Sequence, residues 1–256
     1  MRRIGRLTTI GVAAVLALGI AAGGAAGGSP LTGKIWVLTS LQGKAPLAGT
    51  SITIAFTSDG KVSGSSGCNS YSGTYTATRG RLKISRVAST QMACAPAIMA
   101  QEGEYHQVLS SARAYGVRSG RLTLRSSLGR TLAVFAVQAQ SLAGTAWNVT
   151  GFNNGKNAVV SVLAGTKLTA AFGKDGMLTG FAGCNHYDGA YTASAPKLHF
   201  GPISSTRKNC GSPAGVMGQE SAYLAALGTV ASYRIEGSTL ELLTAKDTTA
   251  VALKRA

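Results

Sequence analysis

The stretch Gly67-Cys68-Asn69-Ser70-Tyr71-Ser72-Gly73-Thr74-Tyr75 recurs 116 positions later as Gly183-Cys184-Asn185-His186-Tyr187-Asp188-Gly189-Ala190-Tyr191. Self-similarity at a fixed offset marks a duplicated structural unit, so the rest of the chain is read in register with it. Toward the N-terminus the same offset carries Phe56-Thr57-Ser58-Asp59-Gly60 onto Phe172-Gly173-Lys174-Asp175-Gly176 and Gly64 onto Gly180. Toward the C-terminus Ser89-Thr90 falls on Ser205-Thr206 and Cys94 on Cys210. After a two-residue insertion, Gln101-Glu102 and Tyr105 meet Gln219-Glu220 and Tyr223. Trp36 opens one copy and Trp147 the other. Two domains follow, predicted over residues 31–138 and 141–256, with the boundary in the polar, small-residue stretch 138–144.

Within each copy the apolar residues mostly alternate, as in Ile52, Ile54 and Phe56, or Leu82 and Ile84, or Leu122 and Leu124. That is the period of strands buried on one face. Asp59-Gly60 and Asp175-Gly176 lie between such runs and suit tight hairpins, whose turns need a residue tolerant of positive φ. One segment per copy changes period. From Pro96, the positions Ile98, Met99, Glu102, Tyr105 and Leu109 recur at helical spacing. In the second copy Val216, Met217, Glu220, Tyr223, Leu224 and Leu227 do the same, with Ser212 predicted as N-cap, Pro213 at the first helical position and Gly228 as the stop. The fold class is therefore α+β and mostly β: antiparallel strands with one amphipathic helix inserted after the second cysteine of each copy.

Cys68 and Cys94 are 26 positions apart, as are Cys184 and Cys210. Four cysteines allow three pairings. Duplication of the spacing favours one bridge within each copy. The competing reading is a metal site, but there is no Cys-x-x-Cys pair, and His106, His186 and His199 do not repeat between copies. No metal or cofactor is expected.

The N-terminus carries the three parts of an export signal: Arg2, Arg3 and Arg6, an apolar run over residues 7–22, and small residues over 23–28. A signal peptide is predicted over residues 1–28, with an uncleaved anchor as the alternative. Secreted or periplasmic localisation follows, in a compartment where disulfides persist. Setting aside the three signal arginines leaves 22 basic against 9 acidic residues, or +13. Residues 31–140 hold 12 Lys/Arg and 3 Asp/Glu, residues 141–256 hold 10 and 6. Such a chain is drawn to polyanions, among them anionic lipid head groups and wall polymers. The plain alternative is solvated surface charge. Nucleic acid is not the expected physiological partner: export argues against it, and the basic residues are dispersed along the sequence and not interleaved with aromatics. Membrane contact is expected only through the signal segment or peripherally.

The Trp near each start, the Phe-x-x-Asp-Gly turn, Gly-Cys-Asn-x-Tyr-x-Gly-x-Tyr, Ser-Thr-x-x-x-Cys and the helical Gln-Glu together resemble the META domain of the HslJ-like family. The second copy departs from the pattern where Lys208-Asn209 replaces Met92-Ala93 before the cysteine. The resemblance covers nearly all of the chain after the signal segment. It implies a curved antiparallel sheet approaching an open barrel, closed by one helix in each copy. It also implies an envelope or secreted protein linked with stress tolerance or secretion. It carries no catalytic residues.

A catalytic site needs a nucleophile beside a base, or two carboxylates at a fixed separation. The first copy has only Asp59, Glu102 and Glu104 as acids, and no histidine is shared by both copies, so the protein is not expected to be an enzyme. Glu102 with Tyr105, and Glu220 with Tyr223, are the candidate ligand-groove positions. The bland reading makes each carboxylate or its Gln neighbour a buried anchor for nearby backbone amides. The sharp one makes Glu and Tyr the lining of a pocket between helix and sheet. Asn69 and Asn185 are read as stabilising the turn after the cysteine. The expected role is a non-catalytic envelope or secreted binder of an amphipathic or anionic ligand or a protein partner, in envelope stress tolerance. The alternatives are a secreted inhibitor of a hydrolase or protease, and a purely structural stress scaffold.

Overall fold

Alternating apolar segments become paired strands throughout the part of the chain that the structure, a computed structural model, describes: residues 29–156 and 158–256. The predicted signal peptide lies outside the described residues. In the first copy the elements run β1 (Ile35–Leu41), β2 (Thr53–Phe56), β3 (Lys61–Ser65), β4 (Ser70–Thr78), β5 (Arg81–Ser89), α1 (Pro96–Ser111), β6 (Ala114–Arg118), β7 (Arg121–Arg125) and β8 (Thr131–Val137). Each strand pairs antiparallel with the next, and β8 returns to β1 with Trp36 opposite Val137, so the curvature continues to a closed barrel.

The second copy repeats the path through β9 (Thr145–Asn153), β10 (Val159–Ser161), β11 (Leu168–Phe172), β12 (Met177–Ala182), β13 (His186–Ser194) and β14 (Lys197–Phe200), then β15 (Ser204–Ser205), α2 (Val216–Leu227), β16 (Val230–Glu236), β17 (Thr239–Thr244) and β18 (Thr249–Arg255). Here too the last strand meets the first, with Arg255 opposite Trp147. β10 extends β9, and β15 adds to β13.

Each ring is weakest where the helix leaves it. β5 and β6 share one registered pair, Arg81 with Ala114, and β14 and β16 share one, Lys197 with Ser232. The helix-bearing connection spans this seam and lays Tyr105 or Tyr223, both fully buried, against the strands. The interior is filled with inward-facing residues: Trp36, Ile54, Phe56, Leu82, Leu122, Leu124 and Phe135 in one copy, and Trp147, Phe172, Leu178, Leu240, Leu242 and Leu253 in the other. A small barrel closed in this way packs its lumen with side chains.

The hairpin glycines behave as read: Gly60 has φ +82° and Gly176 φ +80°. Gly64 and Gly180 are required for a different reason. They sit opposite Tyr71 and Tyr187, and a Cβ at either position would fall 2.2 Å from the Thr53 carbonyl oxygen or 2.1 Å from that of Thr169. The missing side chain lets the tyrosine lie across the strand.

The two helices start differently. α1 begins at Pro96 as read. α2 begins at Val216, so Ser212 is not its cap and Pro213 is not its first residue. The reason is Gly215, which at φ +88° occupies the N-cap in the left-handed region and prevents the helical turn from extending back to Pro213. Gly228 ends the helix, its N–H bonding to Leu224 and Ala226 carbonyls.

The halves touch at the β16–β17 turn. Thr53 Oγ1 donates to the Glu236 carboxylate at 2.7 Å, and Gly237 N–H donates to Gln138 Oε1 at 3.2 Å.

Candidate functional site

The seam beneath each helix gathers the residues singled out in sequence. The turn at Gly67-Cys68-Asn69 places Gly67 at φ +103°, and its twin Gly183 is at +104°, a conformation that side-chain-bearing residues rarely adopt. It aims the cysteine at the loop after β5 or β15. The cysteines pair within each copy, Cys68 with Cys94 and Cys184 with Cys210, at S–S distances of 2.05 Å and 2.00 Å. The adjacent asparagine points the other way, into the seam.

Asn69 Oδ1 accepts from Thr90 Oγ1 at 2.8 Å and from Met92 N–H at 2.7 Å, while its Nδ2 donates to Glu102 at 3.0 Å. Asn185 repeats this with Thr206 Oγ1 and Lys208 N–H, both at 2.7 Å, and with Glu220 at 2.8 Å. The asparagine thus does more than brace its own turn: it ties the turn, the second cysteine's loop and the helix together. The neighbouring Gln reaches the loop after the first strands. Gln101 Oε1 accepts from Leu47 N–H at 2.7 Å, and Gln219 Oε1 accepts from Leu163 N–H at 2.6 Å.

The carboxylates are buried, Glu102 at 5% exposure and Glu220 at 6%, but they are held differently. Ser66 Oγ donates to Glu102, and His106 Nε2 stands 3.6 Å from the same carboxylate. Burial pushes the Glu102 carboxyl up, but the Ser66 and Asn69 hydrogen bonds and His106 outweigh it, and the net shift is downward. In the second copy Ala182 and Leu224 occupy the positions of Ser66 and His106. There the Asn185 backbone N–H supplies the missing donor, at 2.8 Å.

The tyrosines form a closed pair in each barrel. Tyr71 and Tyr105 hydroxyls lie 2.7 Å apart, and Tyr71 donates to the Thr53 carbonyl at 2.9 Å. Tyr187 and Tyr223 repeat the 2.7 Å contact, with Tyr187 donating to the Thr169 carbonyl at 2.8 Å. Burial pushes all four phenols above their ordinary range.

Of the four candidate positions, Glu102 reaches a cleft. This opening of 420 Å³ beside the first disulfide loop is lined by Asn69, Met92, Met99, Glu102 and His106. Tyr105 does not line it, and Glu220 and Tyr223 are buried in the second seam. Chemically, the seam matches its carboxylates and tyrosines to partners and fixes a helix on a ring, while His106 Nε2 is buried beside Glu102 with no hydrogen-bond partner among the described residues. Among the described residues no group of three or more His, Cys, Asp or Glu is placed to hold a metal ion, and no helix is long and apolar enough to cross a membrane. The residues that sequence reading passed over are Ser66, Thr90 and Thr206. The signal for the two threonines was present, because Ser-Thr recurs at the shared offset. Ser66 has no twin and carried none.

No protein with a curated description matches the chain. A protein from Burkholderia xenovorans, solved by NMR, is 26% identical over 45% of this chain and 83% of its own, with a TM-score of 0.38. A second NMR structure is 26% identical over 42% and 91%, with a TM-score of 0.36. A DUF4847 family protein from Bacteroides vulgatus is 24% identical over 35% and 61%, with a TM-score of 0.28. The META domain family itself matches twice, over residues 29–139 and 140–256, and since those two matches span everything from Ser29 to Ala256, the chain belongs to the META domain family as a tandem pair.

Proposed function

We propose that the protein is a non-catalytic module of the cell envelope or secreted space that binds an anionic or amphipathic ligand, or a protein partner, with its outer surface. The observation that carries this reading is how the buried polar groups are used. The buried carboxylates and the paired tyrosines of both seams are hydrogen-bonded inside the protein, and both lumens are filled with apolar side chains. Recognition is then left to the exterior, where basic residues exceed acidic ones by 9 in residues 31–140 and by 4 in residues 141–256. The two disulfides are consistent with an oxidising, extracytoplasmic setting.

A thermal-shift screen against anionic lipids, wall polymers and secreted proteins tests the reading, because a ligand that binds only the folded state raises its apparent stability. A rise in Tm with at least one of these classes is expected. No shift with any of them, together with turnover of a hydrolase substrate, overturns it.

A further inference from the structure

Nine of the 12 basic residues in the first copy fall between Arg79 and Arg130, scattered in sequence. The barrel gathers them. On β5 and β7 the inward positions are Leu82, Ile84, Leu122 and Leu124, so Arg81, Lys83, Arg121 and Arg125 face outward. Along β7, and meeting β5 at Ala114, runs β6, whose outward positions are the small residues Ala114 and Gly116, ending at Arg118. Register completes the arrangement. Arg81 and Arg125 flank Ala114 on either side, and Arg118 stands directly opposite Arg121. The Arg125 guanidinium lies over Gly116, where a Cβ would come within 3.3 Å of its Nη1.

The result is a cationic face on the outside of the barrel: Arg81 and Arg125 at one end of β6, Arg118 and Arg121 at the other. The two arginine pairs lie about 13 Å apart along β6, four residues of strand rise. Like charges directly opposite on paired strands are destabilising. This face nevertheless keeps Arg118 against Arg121, and none of the three ion pairs among the described residues involves any of these cations. No acidic residue occurs on β4 to β8.

The second copy keeps a cation at the Arg81 position, Lys197, but loses the other three. Glu236 stands where Arg118 is, Thr239 where Arg121 is, and Leu243 where Arg125 is. Arg234, facing out from the middle of β16, is neutralised by Glu241 at 2.6 Å. The scaffold therefore does not require cations at the positions of Arg118, Arg121 and Arg125.

Resting on the proposed binding role, we infer that the β5–β6–β7 face of the first copy is a binding site for an extended, soluble polyanion bearing phosphate groups along a flexible chain. Multivalent phosphate would neutralise the opposed arginines and present an oxygen pair to each guanidinium. No large apolar side chain on the outer face of β5, β6 or β7 is available to enter a bilayer.

The test measures binding of long-chain inorganic polyphosphate to the full chain by fluorescence anisotropy over a range of salt. The variants are Arg81→Gln/Arg118→Gln/Arg121→Gln/Arg125→Gln and, as control, Lys197→Gln/Lys254→Gln in the second copy. Vesicles of phosphatidylglycerol form a parallel arm. The expected result is salt-sensitive binding by the wild type, weakened at least roughly tenfold with a flatter salt slope in the fourfold variant and unchanged in the control. Equal binding by wild type and fourfold variant overturns the site but leaves the wider binding role standing. Binding to vesicles without binding to polyphosphate overturns the polymer and assigns the surface to lipid. Circular dichroism melting shows whether each variant is folded.

Discussion

The Glu220 carboxylate accepts two hydrogen bonds from a single residue, Asn185: one from its backbone N–H and one from its side-chain amide, both at 2.8 Å. The pair welds α2 to the turn that also carries Cys184. Replacing Glu220 by Ala takes the acceptor from the buried Asn185 backbone N–H and from one of its two amide hydrogens, the other staying on the Lys208 carbonyl. The expected loss is about 3 kcal/mol, confined to the second barrel. Urea unfolding followed by Trp147 fluorescence, in a background where Trp36 is Phe, measures it. A loss under about 0.5 kcal/mol would show that water replaces the carboxylate.

Acid should also weaken the other barrel, through Glu102. The folded-state pKa of Glu102 lies below its unfolded value of 4.5, because the Ser66 and Asn69 hydrogen bonds and His106 overcome the opposing effect of burial. Its contribution is therefore fully present above pH 4.5 and disappears as pH falls through the folded value. Chemical denaturation of wild type and Glu102→Gln between pH 7 and pH 3 tests this. The wild type is expected to lose stability on acidification more steeply than the variant, and parallel profiles would refute the assignment.

Two glycines of similar sequence appearance should respond oppositely to alanine. At Gly180 a Cβ would meet the Thr169 carbonyl oxygen at 2.1 Å and the Tyr187 ring at 2.6 Å, and the backbone oxygen cannot move aside without breaking strand pairing. Gly180→Ala is expected to cost about 2–3 kcal/mol. Gly103 lies inside α1 with nothing within 4 Å of a Cβ. Gly103→Ala is expected to stabilise the first barrel by about 0.5–1 kcal/mol, through helix propensity. Thermal melts of both variants settle the signs.

Each disulfide closes a loop spanning a sequence separation of 26 residues. Chain-entropy reasoning assigns about 3.5 kcal/mol to a loop of that length. Cys184→Ser/Cys210→Ser should lower the second barrel's stability by about that amount while leaving the first barrel's transition in place. A destabilisation shared equally by both barrels would mean that they unfold as one unit.

Much of the scaffold could be read from neighbouring residues. The Asp-Gly turns, the start of α1 at Pro96 and the cysteine pairing within copies all rest on local chemistry or on the shared offset. The features that escaped are non-local. Nothing in the alternation of β1 or β8 announces that Trp36 will meet Val137, and ring closure depends on that pairing. The start of α2 was misread because Ser212-Pro213 imitates a capped N-terminus, while the deciding residue, Gly215, declares its left-handed backbone only in place. The carboxylates were found by recurrence, but their different donors were not, since Ser66 faces Glu102 from a turn that carries Ala182 in the second copy. The basic residues looked dispersed for the same reason: Arg81, Arg118, Arg121 and Arg125 become neighbours only through strand register.

Ring closure also decides how each half would respond to pulling. The chain enters a barrel beside the point where it leaves, with Trp36 facing Val137 and Trp147 facing Arg255. Tension across those ends loads the closing ladder one rung at a time, as in a zipper, and not all rungs together in shear. A half held at both ends would therefore peel open at low force despite its packed lumen. The bridge then sets the limit of travel, because the roughly 26 residues it encloses, about 90 Å of extended chain, cannot pay out until the bridge is reduced.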